Sequence, residues 1–443
     1  MSSPDPQLPA TDTPAAKPVR RKWGRAALRR AFALLPRALR FAIFRAMIDC
    51  DPAPDERLTL KIAETQGELE ACFRILHDAY VGSGFMKPDP SGLRVTAYHA
   101  LPTTTTTLCA KFDGQVVGTI SLVREGVFGF PMQSAFDLSG VRLKQGNIAE
   151  ISALAVHPDF RKTGGTILFP LMKFMYEYCT TYFDTRHLVI AVNPKRVEMY
   201  ESLLFFERLQ ANIIKNYDFA NGAPAVGATL DLKMAPGIFK HYYGGKKPRK
   251  NLSQYFTEIT LPNIETPNRR YFTTNDPVMT PDILNYFFNQ RTKGFEQLDE
   301  KKRLLVHSIY DLEAYRPVLP AVPPSPQAAE SLRKHQRYSL KCPGRLQIKA
   351  QAEEETSFEL QVTELSQDGF QAESDFGMPM DMEGTVTVDL GEDERAVVKA
   401  KAVRTHTSDF GQFYGFHVEE TDPVWERCVK ALQQSQTASD LKK

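Results

Sequence analysis

The segment from Glu150 to Thr166 constrains the fold of this chain more than any other. Glu150-Ile-Ser-Ala-Leu-Ala-Val156 is an apolar run headed by a carboxylate, and His157-Pro-Asp-Phe-Arg161-Lys-Thr-Gly164-Gly165-Thr166 follows it directly. The run reads as a buried strand, its sequel as a basic loop with glycines, and Thr166 to about Phe183 as a helix opened by that loop. Such an arrangement binds phosphate. The glycines let backbone N–H groups approach, the helix N-terminus adds positive field, and Arg161 supplies a fixed charge. A carboxylate beside a phosphate-bearing carrier suits proton abstraction during group transfer. A glycine pair after a strand is a weak motif by itself, so its meaning depends on the rest of the chain.

Around this segment the texture alternates strands and helices from Leu58 to about Leu232. Leu58-Thr-Leu-Lys-Ile62 alternates as a strand, and Thr65 to Tyr80 reads as a helix. Thr106 to Lys111 and Gln115 to Val123 flank Asp113-Gly114, a strong hairpin signal. His187 to Asn193 is a second buried strand, and Asn193-Pro194 supplies an N-cap and a first-position proline for a helix carrying Tyr200. We therefore expect an α/β domain over residues 51–235, then a mixed, partly helical extension over 236–315. A proline-rich linker over 316–330 follows, readable as a semi-rigid spacer of roughly 3 Å per residue. Residues 331–435 switch to short alternating strands with glycine turns and a closing helix, the pattern of a small barrel. A tail over 436–443 is expected to be disordered.

Composition limits the class. With 443 residues, 42% hydrophobic and 24% charged, the chain suits a globular protein of two or three domains. Its six cysteines are scattered without a C-x-x-C pair, which argues against a disulfide framework or a metal site and for a reducing cytoplasm. No apolar run is long enough to span a bilayer. Residues 1–50 stand apart: a Pro/Thr/Ala-rich start precedes a stretch from Lys17 to Ile48 with ten basic residues and no acidic one. Phe32, Leu35, Leu39, Ile43 and Met47 recur at helical spacing there, broken at Pro36. Such a helix can lie on an anionic membrane surface or pack on its own domain with its arginines solvated. No DNA- or RNA-recognition motif accompanies the charge.

Residues 58–232 resemble a GNAT-fold acyltransferase, and more narrowly the N-acyl amino acid synthases of the FeeM type. The resemblance rests on the Glu150-to-Arg161 run, on Gly164-Gly165 opening a helix, and on Val192-Asn193-Pro194 with Tyr200. Gly84-Phe-Met-Lys-Pro-Asp-Pro90 before a tyrosine-bearing loop supports it. It implies acyl transfer from a phosphopantetheine thioester to the amine of an amino acid or similar acceptor, with no tightly bound cofactor. Glu150 would be the base and Tyr200 the proton donor to the departing thiolate. Leu154, Val156, Arg161, Gly164, Gly165, Thr166 and Asn193 would hold the donor arm. The wider fold carries a basic residue, two positions, glycine, one position, then glycine or alanine. Arg161 and Gly164 fill the first two places, whereas Thr166 departs from the last, which turns the expected donor from coenzyme A toward an acyl carrier protein. An acetyl-coenzyme A acetyltransferase would share the fold. Arg94, Tyr98 and His99 are candidates to meet the acceptor's carboxylate.

Arg333-Lys-His-Gln-Arg337 and Glu364-Leu-Ser366-Gln-Asp-Gly369, with Tyr414-Gly415-Phe416, resemble a PilZ domain. That resemblance implies cyclic di-GMP bound by Arg333, Arg337, Glu364, Ser366 and Gly369, with Glu364 standing where the family has Asp or Asn. Flexible guanidinium groups reach phosphates and stack on guanine faces, which fits that ligand. The expected whole is a GNAT-like α/β (α+β) acyltransferase domain with a C-terminal all-β PilZ-type barrel. It would be cytoplasmic, with peripheral contact at the inner face of the membrane, and controlled by the dinucleotide. A non-enzymatic dinucleotide receptor on a degenerate acyltransferase scaffold is the competing reading.

Overall fold

A computed structural model describes residues 32, 34–101, 105–125, 128–144, 146–161, 163–182, 185–266, 279–310, 313–322, 338–349, 355–381, 383–391, 394–408 and 411–433. The start of the expected basic helical region, the later part of the linker, both tails and the two arginines at 333 and 337 lie outside these residues. Among the described residues no helix is long and apolar enough to cross a membrane.

The N-terminal domain is a mixed sheet. Its strands are β1 (Leu58–Ile62), β2 (Thr105–Phe112), β3 (Gln115–Arg124), β4 (Asn147–Val156), β5 (Thr185–Val192), β6 (Glu207–Arg208), β7 (Ile214–Tyr217) and β8 (Ala223–Asp231). They run in the order β1-β2-β3-β4-β5-β8-β6, with β7 on β8. Asp113 and Gly114, at φ 49° and 78°, make the two-residue turn joining β2 and β3. All neighbours are antiparallel except β4 and β5, which run parallel. A parallel pair needs a long crossover, supplied here by the loop after β4 and its helix.

Helix α1 (Arg37–Ala46) starts at Pro36, where the sequence predicts a break, and packs on its own domain. Helix α2 (Gln66–Gly82) is entered through a capping box between Thr65 and Glu68. Its Leu69, Phe73 and Leu76 bury against one face of the sheet. Helix α3 (Leu168–Thr181) starts two residues later than the loop pattern suggests, and buries Leu171, Phe174 and Tyr178 on the other face. Helix α4 (Pro194–Leu203) follows β5.

The described residues between 236 and 315 join the cores of this domain. Helix α5 (Ala235–Tyr243) and helix α6 (Leu252–Thr257) place Phe239, Tyr243, Leu252 and Tyr255 against Ile48 and Phe169. A π-helical turn over Asn285–Arg291 and helix α7 (Glu300–Ile309) place Phe287, Phe288 and Val306 against Phe73 and Leu76 of α2. The start of the proline-rich stretch is docked too. Glu313–Val318 is a 3-10 turn, and Asn289 donates to the Val318 carbonyl at 2.8 Å.

The C-terminal unit is a closed six-stranded barrel. Strands β9 (Tyr338–Lys349), β10 (Glu355–Ser366), β11 (Gly369–Ser374), β12 (Glu383–Gly391), β13 (Glu394–Ser408) and β14 (Gly411–Glu420) close in the order β10-β11-β14-β13-β12-β9. Closure leaves no edge strand exposed. Helix α8 (Pro423–Gln433) joins the core through Trp425, Cys428, Val429 and Leu432.

Candidate active site

The site is made where two strands part. β4 and β5 pair from Asn147↔Thr185 to Ile151↔Ile190 and no further. On the other side of β4 the register against β3 slips between Ser152 and Ala155, and Ala153 takes a positive φ of 56°. This is a bulge; it bends β4 away from β5 and re-aims the residues around it. Beyond Ile151 a cavity of about 200 Å³ opens, lined by Glu150, Ser152, Leu154, Asn193, Tyr200 and Tyr217 among others.

Glu150 is only 2% exposed, and its carboxyl accepts the Met132 backbone N–H at 2.9 Å. Burial pushes its pKa up to about 8, against the opposing pull of that one hydrogen bond. A carboxylate so placed is a much stronger base than a solvated one. Tyr200, on α4, is half-buried and meets the Phe206 ring edge-on at 6.0 Å. Burial raises its pKa above the ordinary phenol value, so it keeps its proton. Asn193 caps α4 by accepting the Lys195 N–H at 3.0 Å, which aligns the helix N-terminus with the end of β5.

The loop after β4 is tied back to it, since Arg161 donates through Nε to the Val156 carbonyl at 2.7 Å. Gly164 and Gly165 have φ values of 71° and 95°, which only glycine adopts freely. A Cβ on Gly165 would lie 2.6 Å from the Phe169 ring, whereas one on Gly164 would meet nothing nearer than Asp49 at 3.8 Å. Thr166 donates to Thr163 Oγ1 at 2.7 Å. Glu150, Leu154, Asn193 and Tyr200 thus share one cavity; Val156, Arg161, Gly164, Gly165 and Thr166 belong to the adjoining strand end and loop and do not line it.

A smaller recess holds Arg94, Tyr98 and His99, and shares Tyr80, Ser152, Ala153 and Phe219 with the main cavity. The Arg94 guanidinium lies 4.0 Å over the Tyr80 ring. His99 is buried and accepts the Thr96 N–H at 3.0 Å; burial first, then Arg94, lowers its pKa to about 3. It is a neutral capping residue, with no charge to offer a carboxylate. Sequence reasoning missed Tyr217. It is 3% exposed in the cavity wall, and its hydroxyl has no hydrogen-bond partner among the described residues. Tyr217 belongs to the wall, and its hydroxyl is a buried donor that a polar ligand group brought against it would satisfy. No pattern in the short β7 strand marks it.

In the barrel, Ser366 pairs with Gly369 across the turn from β10 to β11, and its hydroxyl donates to the Gly369 carbonyl at 3.0 Å. A side chain on Gly369 would run into the Phe416 carbonyl, so this glycine is required by strand packing. Glu364 sits at a register slip and pairs with Gln371 and with Ser339 of β9. Tyr338, next in chain to Arg337, pairs with Leu365. Among the described residues no His/Cys/Asp/Glu cluster could hold a metal ion.

Residues 71–231 match the family model of the N-acyl amino acid synthase FeeM. No curated protein matches the chain. Among solved structures, FeeM, an N-acyl amino acid synthase from uncultured soil microbes, is 25% identical; the alignment covers 41% of this chain and 94% of that one, with a TM-score of 0.35. The coenzyme A-dependent acyl-homoserine lactone synthase BjaI, with SAM and isopentyl-CoA, is 17% identical over 47% of this chain and 92% of its own, TM-score 0.33. The PilZ domain of YcgR from Escherichia coli, with c-di-GMP, is 16% identical over 23% of this chain and 89% of its own, TM-score 0.19. Residues 71–231 thus match an N-acyltransferase family model, and the C-terminal unit is a closed six-stranded barrel.

Proposed function

We propose that the N-terminal domain moves a fatty acyl group from a phosphopantetheine thioester to the amine of an amino acid. The observation that supports this most is a buried Glu150 with a raised pKa, at the point where β4 and β5 part, opening onto the same cavity as Tyr200. An α-amino group has a pKa of about 8, so a base of matching strength takes its proton without a large penalty either way. The amine nitrogen attacks the thioester carbonyl, and its proton passes to Glu150 directly or through a water. The C–S bond breaks, and Tyr200 presents its O–H to the leaving thiolate. The donor arm would lie along Leu154, Val156 and Asn193, with its phosphate at Arg161, Gly164, Gly165 and Thr166. One phosphate suits the arm of an acyl carrier protein as well as it suits coenzyme A, and Thr166 in the last loop position favours the carrier protein. Arg94 and Tyr217 would receive the acceptor's carboxylate.

The barrel would bind cyclic di-GMP through Arg333, Arg337, Glu364, Ser366 and Gly369, and thereby control transfer. Mass spectrometry of lipids from cells overexpressing the chain tests the catalytic reading. A new N-acyl amino acid that disappears with Glu150→Gln and Tyr200→Phe supports it; an unchanged lipid profile overturns it.

A further inference from the structure

Helix α1 carries an apolar stripe on the side facing water. Its exposed positions are Arg37, Ala38, Leu39, Ala42 and Ala46, and the last four lie on one side of the helix. A helix lying on its own domain ordinarily turns polar residues outward. Leu34, just before α1, and Met47, just after it, add to the apolar surface at 86% and 72% exposure. The opposite side is fixed to the domain. Arg40 grips both carboxylate oxygens of Glu198, and Arg37 reaches Glu201 at 3.1 Å.

Cations rim the stripe. The Arg45 guanidinium lies 4.9 Å over the ring of Tyr242, itself 42% exposed. Lys246 and Lys247 are exposed beside it, and Lys250 donates to the Ala46 carbonyl at 3.0 Å. Partial burial first, and then the neighbouring Arg45, lowers the pKa of Lys246. The nearby acids Asp49 and Asp51 are both engaged by Arg249 at 2.7 Å.

We propose that α1 seats the protein on an anionic lipid surface, with Leu39 and Ala42 at the headgroup–acyl boundary and Arg45, Lys246 and Lys247 against lipid phosphates. An apolar stripe flanked by cations, with its nearest acids engaged by Arg249, is the chemistry of an interfacial helix. A second copy of the chain is disfavoured as occupant, because two acid-free basic helices would repel. Since α1 is bolted to α4, which carries Tyr200, docking fixes how the cavity faces the bilayer.

Flotation of the full chain tests this with vesicles of phosphatidylcholine mixed with phosphatidylglycerol and with phosphatidylcholine alone. Wild type is expected to bind the anionic vesicles and not the neutral ones. Leu39→Gln with Ala42→Gln, and separately Lys246→Gln with Lys247→Gln, are each expected to weaken binding at least about tenfold. These positions are exposed, so melting temperature and transfer to a soluble acceptor should stay at wild-type values. No flotation of wild type, or a stripe variant that floats as well as wild type, overturns the proposal. So does a stripe that mediates only self-association, or only carrier-protein binding, by sedimentation velocity.

Discussion

Buried with one backbone N–H for a partner, the Glu150 carboxyl holds its proton to about pH 8 instead of the ordinary 4.5. The folded chain therefore binds a proton that the unfolded chain releases near pH 4.5. Stability is full below that value and falls as pH rises toward 8, at about 1.4 kcal/mol per pH unit for this group. Thermal unfolding between pH 5 and 9 is expected to show a decline in wild type that Glu150→Gln lacks; parallel curves would contradict the assignment. Tyr217 gives a second residue-scale prediction. Tyr217→Phe removes an orphan hydroxyl, so the free protein should be as stable as wild type or about 1–3 kcal/mol more so, while KM for the acceptor rises. An unchanged acceptor KM would remove Tyr217 from the acceptor site. Glu150 and Tyr200 could be singled out because each has a local mark, a carboxylate beside an apolar run and a place on a capped helix, although β4 starts three residues before Glu150, at Asn147. Tyr217 was not, because only the pairing of β7 with β8 carries it to the cavity.

Among elements, the β2–β3 hairpin and the α4 cap were readable because turn and cap chemistry is local. The α4 cap is a single hydrogen bond from the Lys195 N–H to the Asn193 side chain, and the hairpin a single dipeptide. The bulge at Ala153 was not, since an alanine at positive φ leaves no trace in the sequence. The extension was readable only as mixed and partly helical, for another reason. Its helices are short, and Phe287 and Phe288 are held by contacts with α2, distant in sequence, instead of by a periodic face of their own. The loop after β4 supplies the prediction at this scale. Gly165→Ala puts a side chain at φ 95° and into the Phe169 ring. It should cost at least about 1 kcal/mol and raise KM for the acyl donor several-fold, with acceptor KM unchanged. Equal effects on both substrates would mean that the loop only supports the fold.

For the whole molecule, the switch from alternating α/β texture to short strands was plain in the sequence, and the six-stranded barrel follows it. The domain edge was less so, because the described residues between 236 and 322 are built into the N-terminal domain's cores. Ser366 and Gly369 each have a structural duty in the β10–β11 turn, so their presence alone does not distinguish a ligand-binding barrel from a silent one. Arg337 does. Arg337→Ala is expected to cut cyclic di-GMP binding at least about tenfold, the loss of one charge-assisted contact, with the barrel's melting unchanged. Acyl transfer should differ with and without the dinucleotide in wild type and lose that difference in the variant. Identical rates alongside demonstrated binding would contradict direct control.

The most direct test of the central claim is the pH dependence of kcat/KM for acyl transfer by the purified full chain, with acyl carrier protein or coenzyme A thioesters and an amino acid acceptor. The account predicts an N-acyl amino acid product and a rate that climbs with pH and levels off above about 8, where Glu150 and the acceptor amine have both lost their protons. Glu150→Gln should lower the rate by a factor of about 100 or more and flatten the part of the profile that belongs to the enzyme. Turnover by Glu150→Gln at the wild-type rate and with the wild-type profile, or no product from any thioester, would contradict it.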